Sequence, residues 1–290
     1  MRILITGADG QLGSELCRVL GYETIIPMTL PEFDLAKPDV EAQIVAASPD
    51  LIIHAGAYTD VDGAEREPDK AMAVNAEGTR QIAAAASRLG VRLIYISTDY
   101  VFDGQQCMPY REQDEPHPIN QYGFSKWKGE QAVLASGTNF LIVRTAWLFG
   151  AVGKNFVKSI AQASQREAVL RVVDDQRGCP TFAEDLAYAI VALMTKDVVG
   201  VIHVTNRGHC SWYELARAVV REIGADCPVL PITTLQAGRL AKRPQYSVLS
   251  DSRCASLGIV LPEWSQALAR FATGPGLSSA EPQRASLPHS

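Results

Sequence analysis

The fold of this chain is decided by the stretch Arg-Ile-Leu-Ile-Thr-Gly-Ala-Asp-Gly-Gln-Leu-Gly, residues 2–13. Residues 2–6 are rich in isoleucine and leucine and predict a first strand, and the apolar residues from Leu12 to Leu20 recur at helical spacing. The glycines between strand and helix permit a tight turn and a close backbone approach to a ligand. Because the free amides and the dipole of a helix N-terminus attract negative charge, this unit predicts a pyrophosphate site for a dinucleotide.

Outward from this unit, strand and helix patterns alternate. Buried strands are predicted near 24–27, 51–53, 92–96 and 139–144, with helical patterns between them. Such alternation predicts an α/β fold with a doubly wound parallel sheet, the NAD(P)-binding Rossmann fold. Beyond residue 150 the alternation weakens, which predicts a smaller C-terminal α/β lobe.

The composition is that of an ordinary globular protein. The chain has 290 residues, 47% of them hydrophobic, and a formal charge of −5. No basic stripe favours nucleic acid as a partner, and no apolar run reaches the ~18 residues of a membrane span. The first residues are too short and too soon polar for a signal peptide, and the six scattered cysteines lack metal-ligand spacing. We therefore expect a cytoplasmic protein with reduced thiols that binds neither nucleic acid nor membrane.

Two residues four positions apart, Tyr122 and Lys126, fall on one face of a predicted helix. A phenol titrates near ~10, and a nearby ammonium would lower that pKa and make the tyrosine a better proton donor. Thr98 follows a predicted strand, and ligands of open α/β sheets bind beyond the carboxyl ends of strands. Its hydroxyl could hydrogen-bond a substrate carbonyl, so these three residues are the catalytic candidates.

The dinucleotide is expected to contact further residues at the ends of the second and third strands. Small side chains at Ala55, Gly56 and Ala57 would let it lie against the third strand, where His54 is interpreted as structural. Asp34 and Leu35 are placed at the adenine edge. Met28 and Thr29, predicted to face the adenosine 2' position, carry no charge, so the choice between NADPH and NADH stays open.

Six sequence blocks, in order, carry a resemblance to one family. They are Gly7-Ala-Asp-Gly-Gln-Leu-Gly13, Ser97-Thr-Asp-Tyr-Val-Phe-Asp-Gly104, Tyr122-Gly-x-x-Lys126, Arg144-Thr-x-Trp147, Asp175-Gln-x-Gly-x-Pro-Thr181 and Arg243-Pro-x-x-Ser-x-Leu249. Over roughly residues 1–272 the chain resembles the dTDP-4-dehydrorhamnose reductases, a family of extended short-chain dehydrogenases. The second and fifth blocks are the specific ones.

The resemblance implies NAD(P)H-dependent reduction of the C4 ketone of dTDP-4-dehydro-L-rhamnose to dTDP-L-rhamnose, a nucleotide sugar for cell-surface polysaccharide. It implies that Tyr122 protonates the C4 alkoxide, Lys126 binds the nicotinamide ribose and lowers the tyrosine pKa, and Thr98 positions the carbonyl. The cofactor-binding residues are then Gly7, Asp9, Gly10, Gln11, Leu12, Gly13, Asp34, Leu35, Ala55, Gly56, Ala57, Tyr122 and Lys126. The substrate-binding residues are Thr59, Val61, Asp99, Tyr100 and Trp147.

The chain is expected to divide into two domains and a tail. An NAD(P)-binding domain is expected over 1–150, with 168–204 returning to it. A substrate-binding lobe is expected over 151–167 and 205–272, and a disordered tail over 273–290.

Partners and alternatives complete the expectations. Some members of the family are dimers bridged by Mg²⁺, and Glu15 and Glu184 fit two of the ligand positions, although solvated surface carboxylates are the plainer interpretation. The chain is expected to be a monomer or a homodimer. A related dTDP-4-keto-6-deoxyhexose is an alternative substrate, and a cofactor-binding regulatory subunit, as in the methionine adenosyltransferase β-subunit, is an alternative function.

Overall fold

The structure is a computed structural model that describes residues 1–274. The strands, in chain order, are β1 (Arg2–Thr6), β2 (Thr24–Met28), β3 (Leu51–His54), β4 (Arg92–Thr98), β5 (Phe140–Thr145), β6 (Leu148–Phe149), β7 (Leu170–Val173), β8 (Arg177–Gly178), β9 (Thr181–Phe182), β10 (Gly200–His203), β11 (Cys210–Ser211) and β12 (Val229–Ile232). The α-helices are α1 (Gln11–Val19), α2 (Val40–Ala47), α3 (Val61–Arg66), α4 (Pro68–Met72), α5 (Thr79–Leu89), α6 (Gln121–Ala135), α7 (Phe156–Ala163), α8 (Ala183–Met194), α9 (Trp212–Glu222), α10 (Thr234–Ala237), α11 (Ser252–Ser256) and α12 (Trp264–Thr273).

A six-stranded parallel sheet in the order β10-β5-β4-β3-β1-β2 forms the centre of the molecule. Successive residues of β1 point to opposite faces, so Ile3 and Ile5 pack against α1 and α8 while Leu4 packs in the core beside α2 and α5. Both faces are covered by helices, which is why the strands are apolar throughout. The predicted doubly wound α/β fold is confirmed.

A second core lies apart from the sheet. It is built from α7, α9 and α12, together with short strand pairs: β7 with β12, β8 with β11, and β6 with β9. This core holds the aromatic residues Phe149, Phe182 and Phe271 in mutual contact.

The return of residues 168–204 to the first sheet is only partial, which corrects the predicted boundary. The strand β7 pairs with β12 rather than with the six-stranded sheet, while α8 packs on α1 and β10 pairs with β5. An apolar run as short as Leu170–Val173 carries no signal for which sheet it joins. The division into two domains stays a prediction.

Two further boundaries differ from the prediction. The helical pattern predicted between the third and fourth strands is divided into α3, α4, a π-helical turn at Ala73–Gly78 and α5, with Pro68 as the first residue of α4. Thr273 and Gly274, assigned to the tail, are the last residue and the C-cap of α12, and residues 275–290 of that predicted tail lie outside the described residues.

Among the helices of residues 1–274, none combines the length and the apolar character that a membrane crossing requires.

Candidate active site

The glycine turn after β1 is shaped by close backbone contacts. Gly7 has a φ of +63°, and a Cβ there would lie 2.7 Å from the Gly56 Cα. A Cβ on Gly13 would lie 2.0 Å from the carbonyl oxygen of Gly7. Only glycine fits at these two positions, and the first turn of α1 is thereby brought against the end of β1. Its free amides face the space where a pyrophosphate would lie.

A cleft of about 820 Å³ runs along the carboxyl ends of the strands. It lies where the strand order reverses, with β2 on one side of β1 and β3 on the other, which is the usual ligand position in such sheets. All the predicted catalytic, cofactor-binding and substrate-binding residues line it: Gly7, Asp9, Gly10, Gln11, Leu12, Gly13, Asp34, Leu35, Ala55, Gly56, Ala57, Thr59, Val61, Thr98, Asp99, Tyr100, Tyr122, Lys126 and Trp147. Met28 and Thr29, expected at the adenosine 2' position, line it too.

The position of α6, the helix that carries Tyr122 and Lys126, is fixed by residues at its N-terminus. The side chain of Asn120 caps α6 by accepting a hydrogen bond from the Gly123 amide at 2.8 Å. A Cβ on Gly123 would lie 2.0 Å from the carbonyl oxygen of Tyr100. Glycine therefore lets α6 approach the 3-10 turn at Asp99–Val101, next to Thr98, more closely than any other residue would.

Lys126 lies in the floor of the cleft, with only 3% of its surface exposed. Its Nζ donates a hydrogen bond to the Ile96 carbonyl oxygen at 2.7 Å and lies 4.2 Å from the centre of the Tyr95 ring. Burial lowers the pKa of Lys126 to about 7, and the nearby Glu130 carboxylate opposes that shift.

The pKa of the Tyr122 phenol is raised. This corrects the expectation that Lys126 lowers it. Burial raises the pKa of Tyr122 to about 12, a hydrogen bond with Thr98 lowers it, and Asp99 raises it further. Among the described groups that shift this pKa, Lys126 is absent. The reason is geometric, because the ammonium binds the Ile96 carbonyl on the sheet side.

Thr98 is held by its neighbour Asp99. The Thr98 hydroxyl donates to the Asp99 carboxylate at 3.1 Å, and the Ser247 hydroxyl donates to the other carboxylate oxygen. Burial raises the pKa of Asp99 to about 7. Asp99, expected beside the sugar, lines the cleft but also fixes the Thr98 hydroxyl. The role of Ser247 was missed, and the only signal for it was its place in the Arg243–Leu249 block.

A second missed residue, Asn75, lies in the π-helical turn. Its side chain accepts a hydrogen bond from the Tyr58 amide at 2.8 Å and donates to the Tyr58 carbonyl at 3.0 Å and to the Ser125 hydroxyl at 2.9 Å. It thereby joins the loop after β3 to the catalytic helix. His54, in agreement with a structural role, is buried between the hydroxyls of Thr6 and Thr79.

The proposed metal ligands do not line the cleft. Glu15 and Glu184 both accept hydrogen bonds from Arg18, at 2.8 and 2.6 Å, so an arginine occupies the space between them. Within residues 1–274 no group of three or more His, Cys, Asp or Glu side chains could hold a metal ion.

Comparison with known proteins gives matches over nearly the whole chain. Residues 1–274 match the family described as the RmlD substrate binding domain. A dTDP-4-dehydrorhamnose reductase of Mycobacterium tuberculosis is 42% identical, with 98% of this chain and 96% of the relative covered. A dTDP-4-keto-6-deoxy-D-glucose reductase of Streptomyces niveus is 39% identical, with 92% and 95% covered.

Among solved structures, the crystal structure of a dTDP-4-dehydrorhamnose reductase from Bacillus anthracis in complex with NADP is similar. It has a TM-score of 0.90 and 39% identity, and the match covers 93% of this chain and 98% of that one. The match extends over both the six-stranded sheet and the second core.

Proposed function

Because this chain belongs to the RmlD substrate-binding domain family, we propose that it reduces the C4 ketone of dTDP-4-dehydro-L-rhamnose with NAD(P)H, giving dTDP-L-rhamnose. The observation that carries the proposal is the meeting of Thr98, Tyr122 and Lys126 in the cleft that the glycine turn also lines. A proton donor, a hydroxyl that can orient a carbonyl and a pyrophosphate cradle are the parts that a ketone reductase needs.

The cradle fits a dinucleotide, since an added Cβ at Gly7 or Gly13 would fill it. The nicotinamide cofactor supplies a hydride when it is bound. Thr98 orients the carbonyl oxygen by turning towards it the hydroxyl proton that Asp99 otherwise accepts. Tyr122, with its pKa of about 12, keeps its proton at neutral pH and gives it to the oxygen at C4, where an alkoxide is the stronger base.

Incubation with NADPH and dTDP-4-dehydrorhamnose, followed at the nicotinamide absorbance band, tests the proposal. We expect the absorbance to fall in proportion to the enzyme added. The relative from Streptomyces niveus favours dTDP-4-keto-6-deoxy-D-glucose as a second candidate substrate, so the two sugars are compared at equal concentration. Failure to consume NADPH with either of the two sugars would contradict the proposal and favour the regulatory alternative.

The enzyme is expected to discriminate only weakly between NADPH and NADH. Met28 and Thr29 line the cleft at the end of β2 and carry no charge, so neither repels nor captures a 2'-phosphate. Thr29 can donate one hydrogen bond, worth about 0.5–1.5 kcal/mol to a neutral group and about 1.5–3 kcal/mol to a charged one. We predict that both cofactors support turnover, with NADPH preferred and kcat/KM differing by less than about 100-fold. Steady-state kinetics with each cofactor measure this ratio, and a preference beyond a thousand-fold would contradict the prediction.

Cofactor affinity is expected to depend on pH through Lys126. Its lowered pKa of about 7 means that the ammonium is present below that pH and lost above it. If the ammonium binds the nicotinamide ribose, the Kd rises by up to about tenfold for each pH unit above 7. Fluorescence titration with NADH between pH 6 and 9 measures this Kd. NADH is used because it has no 2'-phosphate whose own titration would alter the pH dependence. Lys126→Met should bind weakly at every pH, and a flat profile in the parent enzyme would refute the role.

A further inference from the structure

The block Asp175–Thr181 is one of the two most specific in the sequence, yet the reaction above gives it no task. In the structure this segment, here called the 175–181 turn, surrounds Trp147. We propose that the 175–181 turn, acting with Trp212, positions the Trp147 indole as a rigid wall of the sugar subsite and thereby sets the affinity for the sugar nucleotide. The inference rests on the proposed function and on the expectation that Trp147 lies beside the sugar.

The backbone of Trp147 is held in an uncommon conformation. Its φ is +47°, in the left-handed region that side chains other than glycine rarely adopt. The Thr181 amide donates a hydrogen bond to the Trp147 carbonyl oxygen at 3.2 Å, and β6 continues this contact by pairing with β9. Such conformations persist where the surrounding structure determines them, and they cluster at ligand sites.

The Trp147 ring is fixed as firmly as its backbone. It stacks on Trp212 with ring centres 3.4 Å apart and planes 6° apart, and both rings line the cleft. The indole also lies against the backbone of Gly178, where an added Cβ would be 2.4 Å from the Trp147 Cε2. Because Trp212 covers one face of the indole, the pair presents a single aromatic wall.

Trp212 in turn is held by Gln176. The Trp212 Nε1 donates to the Gln176 side-chain oxygen at 3.1 Å, and the Gln176 amide donates to the Thr234 hydroxyl at 2.8 Å. Gln176 is buried, with 3% of its surface exposed, so these partners fix its orientation. Asp175 completes this series of hydrogen bonds by accepting one from the Thr234 hydroxyl at 2.6 Å.

The turn also reaches the reacting end of the cleft. The Ser247 amide donates to the Arg177 carbonyl oxygen at 2.8 Å, and the Ser247 hydroxyl binds Asp99, which holds Thr98. The aromatic wall and the carbonyl-orienting hydroxyl are thus placed by the same segment. Among the described residues that line the cleft, neither Gln176 nor Gly178 is present, so both act through the tryptophans.

Two substitutions test the proposal without touching the ligand. Gly178→Ala forces the Trp147 ring to move, because its stacked partner blocks an easy retreat. Gln176→Met removes the hydrogen bond that holds Trp212, together with the one to Thr234, and keeps a side chain of similar size. For both we expect KM for dTDP-4-dehydrorhamnose to rise about 10- to 100-fold, the scale for a misplaced contact near the reacting centre. The Kd for NADPH should stay within about twofold, since the glycine turn and α6 are unchanged.

The matched control is Gly21→Ala, where the added Cβ would come no closer than 3.4 Å to the Arg18 carbonyl oxygen. Melting temperatures identify any variant that has lost its fold, and the second variant then carries the test. Folded variants with the parent KM, or an equal loss of NADPH affinity, would overturn the proposal. A parent enzyme that consumes no NADPH with this sugar would instead overturn the proposed function, so the two failures are distinct.

Discussion

Replacing Tyr122 with phenylalanine is expected to lower kcat by about 10²–10⁴ while leaving cofactor affinity nearly unchanged. The substitution removes the only group assigned to protonate the oxygen at C4 and keeps the ring, which packs edge-on against Tyr100 with centres 5.9 Å apart. Because the parent phenol stays protonated at neutral pH, the loss should be similar across the neutral range. Single-turnover rates with saturating NADPH measure the reduction step directly.

Two controls separate this result from a general loss. Tyr213→Phe makes the same change in the second core and should leave kcat unaltered. Lys126→Ala should lower kcat and also weaken cofactor binding, since it would remove the proposed contact with the nicotinamide ribose. A Tyr122→Phe enzyme that keeps more than about a third of the parent turnover would refute the assignment of the proton donor.

Glu130→Gln is expected to lower the free energy of unfolding by about 3–5 kcal/mol, the cost of leaving a buried charge without its partner. Glu130, one turn beyond Lys126 on α6, is 1% exposed. Its carboxylate accepts hydrogen bonds from the Arg144 Nε and Nη2 at 2.8 and 2.6 Å and from the Ser97 hydroxyl at 2.5 Å. Ser97 and Arg144 are paired neighbours on β4 and β5, so one carboxylate joins the catalytic helix to two strands.

The chain contains a matched control for this ion pair. Glu77 and Arg80 form the same bidentate contact, at 2.6 and 2.8 Å, but their side chains are 52% and 58% exposed. Glu77→Gln should therefore change stability by less than about 1 kcal/mol. Urea denaturation compares the two variants. Equal losses would contradict the prediction, whereas replacing Glu130 and Arg144 together by methionine should recover much of the stability, because no unpaired charge remains.

The parts predictable from sequence are those that local patterns specify. The glycine turn follows from residues adjacent in the chain, and the Tyr122–Lys126 spacing places both side chains on one helical face. Their convergence with Thr98 follows from the rule that ligands lie beyond the carboxyl ends of parallel strands.

The parts that could not be predicted depend on approaches between distant segments. Trp212 directly follows β11, which pairs with the distant β8, and Ser247 meets Asp99 across 148 residues of chain. The effect of Lys126 on the tyrosine pKa depends on where its Nζ points, which spacing along a helix does not specify. Likewise, the four apolar and basic residues of β7 do not specify that this strand pairs with β12.

The position of β10 at the edge of the six-stranded sheet has a consequence for synthesis of the protein. This strand pairs with β5 but is translated only after residues 146–199, so a nascent chain carries β5 as an exposed edge meanwhile. At about 5–20 residues per second, roughly 3–12 s pass between the addition of residue 145 and that of residue 203. An uncovered apolar edge invites pairing with other chains, so this interval is when the protein most depends on chaperones to reach its native sheet.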